Sequence, residues 1–109
     1  MHFVTLYIRE AHPISGSPLA FSYDAEGNAI EQPETYLERV ALAAKTIAEA
    51  GITMLVLVDE IDDPVWCTYG RRPNNAYFIG TDGRIVLKQD WNSVAEVEDA
   101  ILRYLGSEQ

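Results

Sequence analysis

The 109-residue sequence predicts a single α/β domain built on parallel strands. Three observations carry that expectation. Phe3–Ile8 and Ile52–Val58 are apolar runs without alternation, the pattern of strands buried on both faces. A helix with start and stop signals lies between them. Strand, helix and strand in that order make a right-handed crossover and a parallel pair.

The opening run, Phe3-Val4-Thr5-Leu6-Tyr7-Ile8, turns polar at Arg9 and delivers Glu10 and His12 just before a loop. The C-terminal ends of strands are where ligands and chemistry gather in open α/β sheets. Two residues apart in extended chain, Glu10 and His12 point to one side. Residues 13–33 form a long connection punctuated by Pro13, Gly16, Pro18, Gly27, Asn28 and Pro33. A small hairpin of Ala20–Tyr23 against Asn28–Ile30, turning at Asp24–Gly27, would give it structure.

Thr35 with Glu38 forms a capping box, and Gly51 is placed to end the helix it starts. Leu37, Val40, Ala41, Ala44, Ile47 and Ala48 fall on one stripe of that helix. The second strand ends at Asp59. Asp63-Pro64 then reads as an N-cap followed by proline at the first helical position, opening a short helix that Gly70 closes. Ala76–Ile79 and Arg84–Lys88 flank the turn Gly80–Gly83 as an antiparallel hairpin. Ser93 with Glu96 starts a last helix, striped by Val97, Ala100, Ile101, Tyr104 and Leu105 and ended by Gly106.

Composition narrows the function. Seventeen acidic residues against eight basic ones give a net charge of −9, which argues against nucleic acid and anionic membranes as partners. One cysteine excludes an internal disulfide, and no apolar run is long enough to span a bilayer. A cytoplasmic protein is expected. Asp59, Glu60, Asp62 and Asp63 are acidic without an accompanying cluster of ligands, so they read as a solvated strand end and a helix cap rather than a metal site. Cys67 falls inside the short helix, where a half-buried small hydrophobe is the ordinary outcome. Glu10 has Arg9, Arg71 and Arg72 as candidate ion partners.

The element order suits the C-terminal part of a thioredoxin-like domain, in which a proline before the third strand borders the active site. Tyr7-Ile8-Arg9-Glu10-Ala11-His12-Pro13, Asp59, Tyr69-Gly70, Pro73, Tyr77-Phe78-Ile79 and Asp82-Gly83-Arg84-Ile85 together resemble the iodothyronine deiodinase family, most closely its bacterial redoxin-type members. The likeness runs over nearly the whole chain, and the Glu10-Ala11-His12 segment is its most specific part. It implies a thioredoxin-like fold, a selenocysteine or cysteine nucleophile after the first strand, and proton transfer assisted by His12 and Glu10. It also implies that Tyr69 and Pro73 border the substrate and that no cofactor is bound. A thiol reductant would be the redox partner.

These residues begin at the family's second core strand, so the strand and helix that bear the nucleophile are missing from them. A selenocysteine codon read as a stop would start a gene at the next methionine, here Met1. Pro33 stands where the family has a second histidine, and Asn75 where the animal enzymes have the arginine that clamps iodothyronine. Gln89-Asp90-Trp91-Asn92 replaces a glycine-rich segment. The chain alone is then expected to be inactive, with Cys67 its one redox candidate. The alternative is a non-catalytic thioredoxin-fold module that binds a partner. The missing strand would lie between Phe3–Ile8 and Ala76–Ile79, leaving two apolar edges. A homodimer or a strand donated by another chain is the expected remedy.

Overall fold

A stripe of small and polar residues turns one helix onto a two-stranded sheet at the centre of the N-terminal half. The computed structural model describes residues 1–13 and 22–107. It is a mixed α/β structure in the order β1 (Val4–Tyr7), α1 (Tyr36–Ala50), β2 (Leu55–Val58), α2 (Pro64–Tyr69), β3 (Ala76–Ile79), β4 (Ile85–Gln89), α3 (Val94–Ser107). The chain divides into two compact units, Met1–Tyr69 and Gly70–Gln109.

In the first unit β1 and β2 pair in parallel, Val4 opposite Leu55 and Tyr7 opposite Val58. Both strands are shorter than expected and neither is buried on both faces. Leu55 is 60% and Leu57 50% exposed, and Val4 beside them is exposed too. Alternation puts Val4, Leu6, Leu55 and Leu57 on one face, and α1 lies against the other, where Thr46 and Arg39 stand beside Tyr7. The continuous apolar run therefore signals a naked face in place of a doubly covered one.

Helix α1 starts and stops as its caps predict. Thr35 Oγ1 accepts from Glu38 N–H at 3.2 Å, and Gly51 adopts the left-handed conformation with φ 65°. Its buried stripe is different. Arg39 and Ala43 are the buried residues, with Thr46 on the same line, while Leu37, Ala41, Ala44 and Ala48 of the expected stripe are exposed. Ala43 is the one fully buried hydrophobic residue among those described. The rotation follows from Arg39, whose guanidinium satisfies backbone carbonyls at the end of β2. In the connection, Tyr23 bridges Ala29 around the expected turn; Ala20 and Phe21 lie outside the described residues. Asp24 Oδ1 accepts from the N–H groups of Glu26 and Asn28, and Lys45 of α1 reaches Asp24 Oδ2 at 2.7 Å. The hydrogen bond from Lys45 holds the Asp24 carboxyl below 3.8, and the same bond raises Lys45.

In the second unit β3 and β4 form the expected antiparallel hairpin, Ala76 opposite Gln89, with a register shift between Phe78 and Ile79. Helix α3 packs its predicted stripe of Val97, Ala100, Ile101 and Tyr104 inward, leaving Leu105 exposed. Phe78 meets Tyr104 edge to face, with ring centroids 5.3 Å apart. The capping box of α3 is routed through Gln89. Ser93 N–H donates to Gln89 Oε1, and Gln89 Nε2 donates to Glu96 Oε2 at 2.9 Å. Among the described residues β1 pairs with β2 and β3 with β4, giving two sheets of two strands each.

Candidate functional site

The candidate site lies at the C-terminal edge of the parallel pair. The last ladder bond runs from Asp59 N–H to Tyr7 O at 2.9 Å. The strand stops at Tyr7, whereas the extended-chain argument needed it to reach His12; residues 11 and 12 bend. Glu10 and His12 therefore do not share a strand face. Glu10 is half-buried and accepts a hydrogen bond from the Tyr7 hydroxyl, while Arg9, one of its expected ion partners, lies near Asp63. His12 is exposed, and no hydrogen bond or ion pair is made by its side chain among the described residues. Its carbonyl accepts from Ser22 N–H at 2.8 Å.

Tyr7 and Glu10 are three residues apart, which in a strand would put them on opposite faces. They meet because the chain leaves the strand between them. Burial is the largest cause that raises the Tyr7 phenol well above its ordinary value of 10.0. The hydrogen bond to Glu10 and the carboxylate's negative charge add to it. A hydrogen bond from Thr46 and the positive charge of Arg39 act in the opposite direction. A phenol that keeps its proton in this way acts as a donor that fixes the direction of the carboxylate.

Beside this pair stands a buried ionic cluster. Arg39, 2% exposed, donates from Nη1 to the carbonyls of Asp59 and Glu60 at 3.1 and 2.7 Å. The same nitrogen is 2.9 Å from Asp63 Oδ1, an ion pair not aligned as a hydrogen bond, and Nε has no partner. Arg9 approaches the other Asp63 oxygen at 3.9 Å and lies over the Trp66 ring. The acidic run is solvated only in part: Glu60 and Asp62 are exposed, but Asp59 and Asp63 are buried. Nor does the Asp63 side chain cap α2. Asp63 has φ 60° and its carbonyl takes the first helical bond from Cys67 N–H, while the Asp59 carboxylate accepts from Val65 and Trp66. Asp63 turns to the two arginines because its left-handed backbone aims the side chain away from the helix start.

The other predicted residues are placed as follows. Cys67 is exposed on α2 rather than half-buried, and Tyr69 is exposed at the helix end. Pro73 is exposed in the second unit and its peptide bond is trans. Among the described residues no group of three or more histidine, cysteine or acidic side chains is arranged to hold a metal ion, and no helix is long and apolar enough to cross a membrane. Sequence reasoning missed Gln32 and Arg39, and it named Tyr7 and Asp59 without these roles. Asp59 had a signal, as a carboxylate directly after an apolar strand; Gln32 had none. Compared with known proteins, the chain matches no family model, no characterised protein and no solved structure.

Proposed function

We propose that this chain is a deiodinase-like redox protein of thioredoxin-like fold, in which Glu10 and His12 move protons for chemistry done on a selenol or thiol outside these residues. The observation that carries the reading is the Tyr7–Glu10 hydrogen bond at the C-terminal edge of β1. It gives a half-buried carboxylate a donor that fixes its direction at the edge where α/β sheets gather their chemistry. Tyr69 and Pro73 would border the substrate, and a dithiol would regenerate the nucleophile. A single cysteine suits a reducing compartment, the cytoplasm. The 109 residues alone carry one thiol, the exposed Cys67, and are proposed to be catalytically silent.

The test begins with the DNA upstream of Met1, read in frame. A selenocysteine or cysteine codon followed by a helix-like segment is expected. The extended chain, expressed with cysteine at that codon, should reduce an aryl iodide or a peroxide with dithiothreitol, and Glu10→Gln should lower turnover by about 100-fold or more. Turnover by the 109 residues that Cys67→Ser abolishes would place the nucleophile at Cys67 and sink the reading.

A second reading, a non-catalytic thioredoxin-fold binding module, is favoured by the exposed Phe3, Val4, Leu55 and Leu57 and by the pairing of β1 and β3 on one side among the described residues. Both readings include association, through a second copy of the chain or a strand from another.

A further inference from the structure

Beyond Tyr7 the sheet gives Glu10 no neighbour, because β2 has ended and the chain has turned into α2. The backbone of Glu10 is satisfied instead by one side chain. Glu10 N–H donates to Gln32 Oε1 at 3.0 Å, and Gln32 Nε2 donates to Glu10 O at 2.9 Å. A primary amide carries a donor and an acceptor side by side, so Gln32 takes the place of a strand residue opposite Glu10. Two bonds to one residue fix rotation as well as position.

The segment that carries Gln32 is itself tied down. Ile30 N–H donates to Ser22 O at 2.9 Å, and Ser22 N–H donates to His12 O at 2.8 Å. Asp24 in the same hairpin is held by Lys45. The clamp on Glu10 thus stands on α1 through a short chain of bonds.

We infer that Gln32 is a positioning residue: it holds the Glu10 carboxylate in reach of the Tyr7 hydroxyl. Its value for catalysis rests on the reading of Glu10 as a proton carrier; the clamp itself does not. Without Gln32 the N–H and C=O of Glu10 turn to water, and nothing keeps a carboxylate three residues past Tyr7 folded back onto it.

The test compares Gln32→Ala, Gln32→Met and Tyr7→Phe by nuclear magnetic resonance of the intact chain. Gln32→Met keeps the length of the side chain without its amide and serves if the alanine variant does not fold. Either Gln32 variant should speed exchange of the Glu10 amide by about tenfold, the effect of losing one ordinary hydrogen bond. Either should also bring the alkaline titration of Tyr7 down part of the way toward 10.0, leaving the share due to burial. In the folded protein the protonated phenol is the favoured form. Its contribution to stability is therefore complete below pH 10.0 and lost as the pH rises above it, over a range that Gln32→Ala should narrow. Tyr7→Phe should abolish that titration and leave the Glu10 amide protected. Faster exchange at Glu10 with Tyr7 titrating as before would reduce Gln32 to a backbone tie and overturn the inference. A Tyr7 titration that moves with Gln32, beside an extended enzyme indifferent to Glu10→Gln, would uphold the clamp and overturn the proton-transfer reading.

Discussion

Asp59 has its carboxylate on three backbone N–H groups, those of Glu60, Val65 and Trp66 at 3.0, 3.3 and 2.9 Å. It is 2% exposed, so no water replaces it when it is removed. Asp59→Ala should cost about 3 kcal/mol in urea unfolding, since charge-assisted bonds are lost and buried donors are left unpaired. Asp59→Asn keeps one acceptor oxygen and should cost less than half of that. An alanine variant within about 0.5 kcal/mol of the parent would mean that α2 is capped by something else. At this scale the sequence was only partly legible. Pro64 at the first helical position announces α2, and the residue before it is the natural cap. The left-handed backbone of Asp63 is invisible in the sequence, and it hands the capping role to a residue four positions earlier.

At the scale of elements most caps and turns were legible, Asp63 and Gly106 excepted since α3 runs on to Ser107, and so was the face of α3, but the face of α1 was not. Thr35, Gly51, Ser93 and the Gly80–Gly83 turn act locally, through bonds between residues a few positions apart. Which side of α1 turns inward is decided from afar. Arg39 must reach the carbonyls of Asp59 and Glu60, and the small Ala43 follows it in, so the apolar count on the opposite side loses. The hairpin offers a sharper test. A Cβ on Gly80 would lie 2.9 Å from the Tyr104 hydroxyl, which is held by Thr81 N–H and Oγ1 and by the Phe78 ring. Gly80→Ala should therefore cost about 1–3 kcal/mol, the range of overpacking. Combined with Tyr104→Phe it should cost clearly less than the sum of the two, because the obstructing oxygen is gone. Additive losses would mean that Asp82 Oδ1 and the Tyr104 ring carbon, each 3.2 Å from that Cβ, are the obstruction instead.

For the whole molecule, the exposed apolar surface is the dominant fact. Phe3, Val4, Leu55 and Leu57 in one unit and Ile79, Ile85 and Val86 in the other face solvent. Parallel strands are rarely found with a bare face. The expectation of association follows, opposed at long range by a net charge of −9. Sedimentation across a concentration series should show the mean mass rising with protein, and rising further when salt screens the charge. A monomer that unfolds cooperatively at every concentration, with or without salt, would mean that the chain needs no partner. The α/β class was readable because it rests on periodicity. The degree of exposure was not, since an apolar run looks the same whether its face is covered or bare.

The pairing of Val4 with Leu55 has a kinetic consequence. Before the first bond of that ladder forms, roughly fifty residues must be drawn into a loop, whereas the hairpin closes over about six. The difference in closure entropy is about 2 kcal/mol, which corresponds to roughly thirtyfold in the chance of encounter. During refolding the C-terminal hairpin should therefore gain its order early, while β1 arrives last. Until it does, Tyr7, Glu10 and the strand that presents them stay open to whatever else the chain meets.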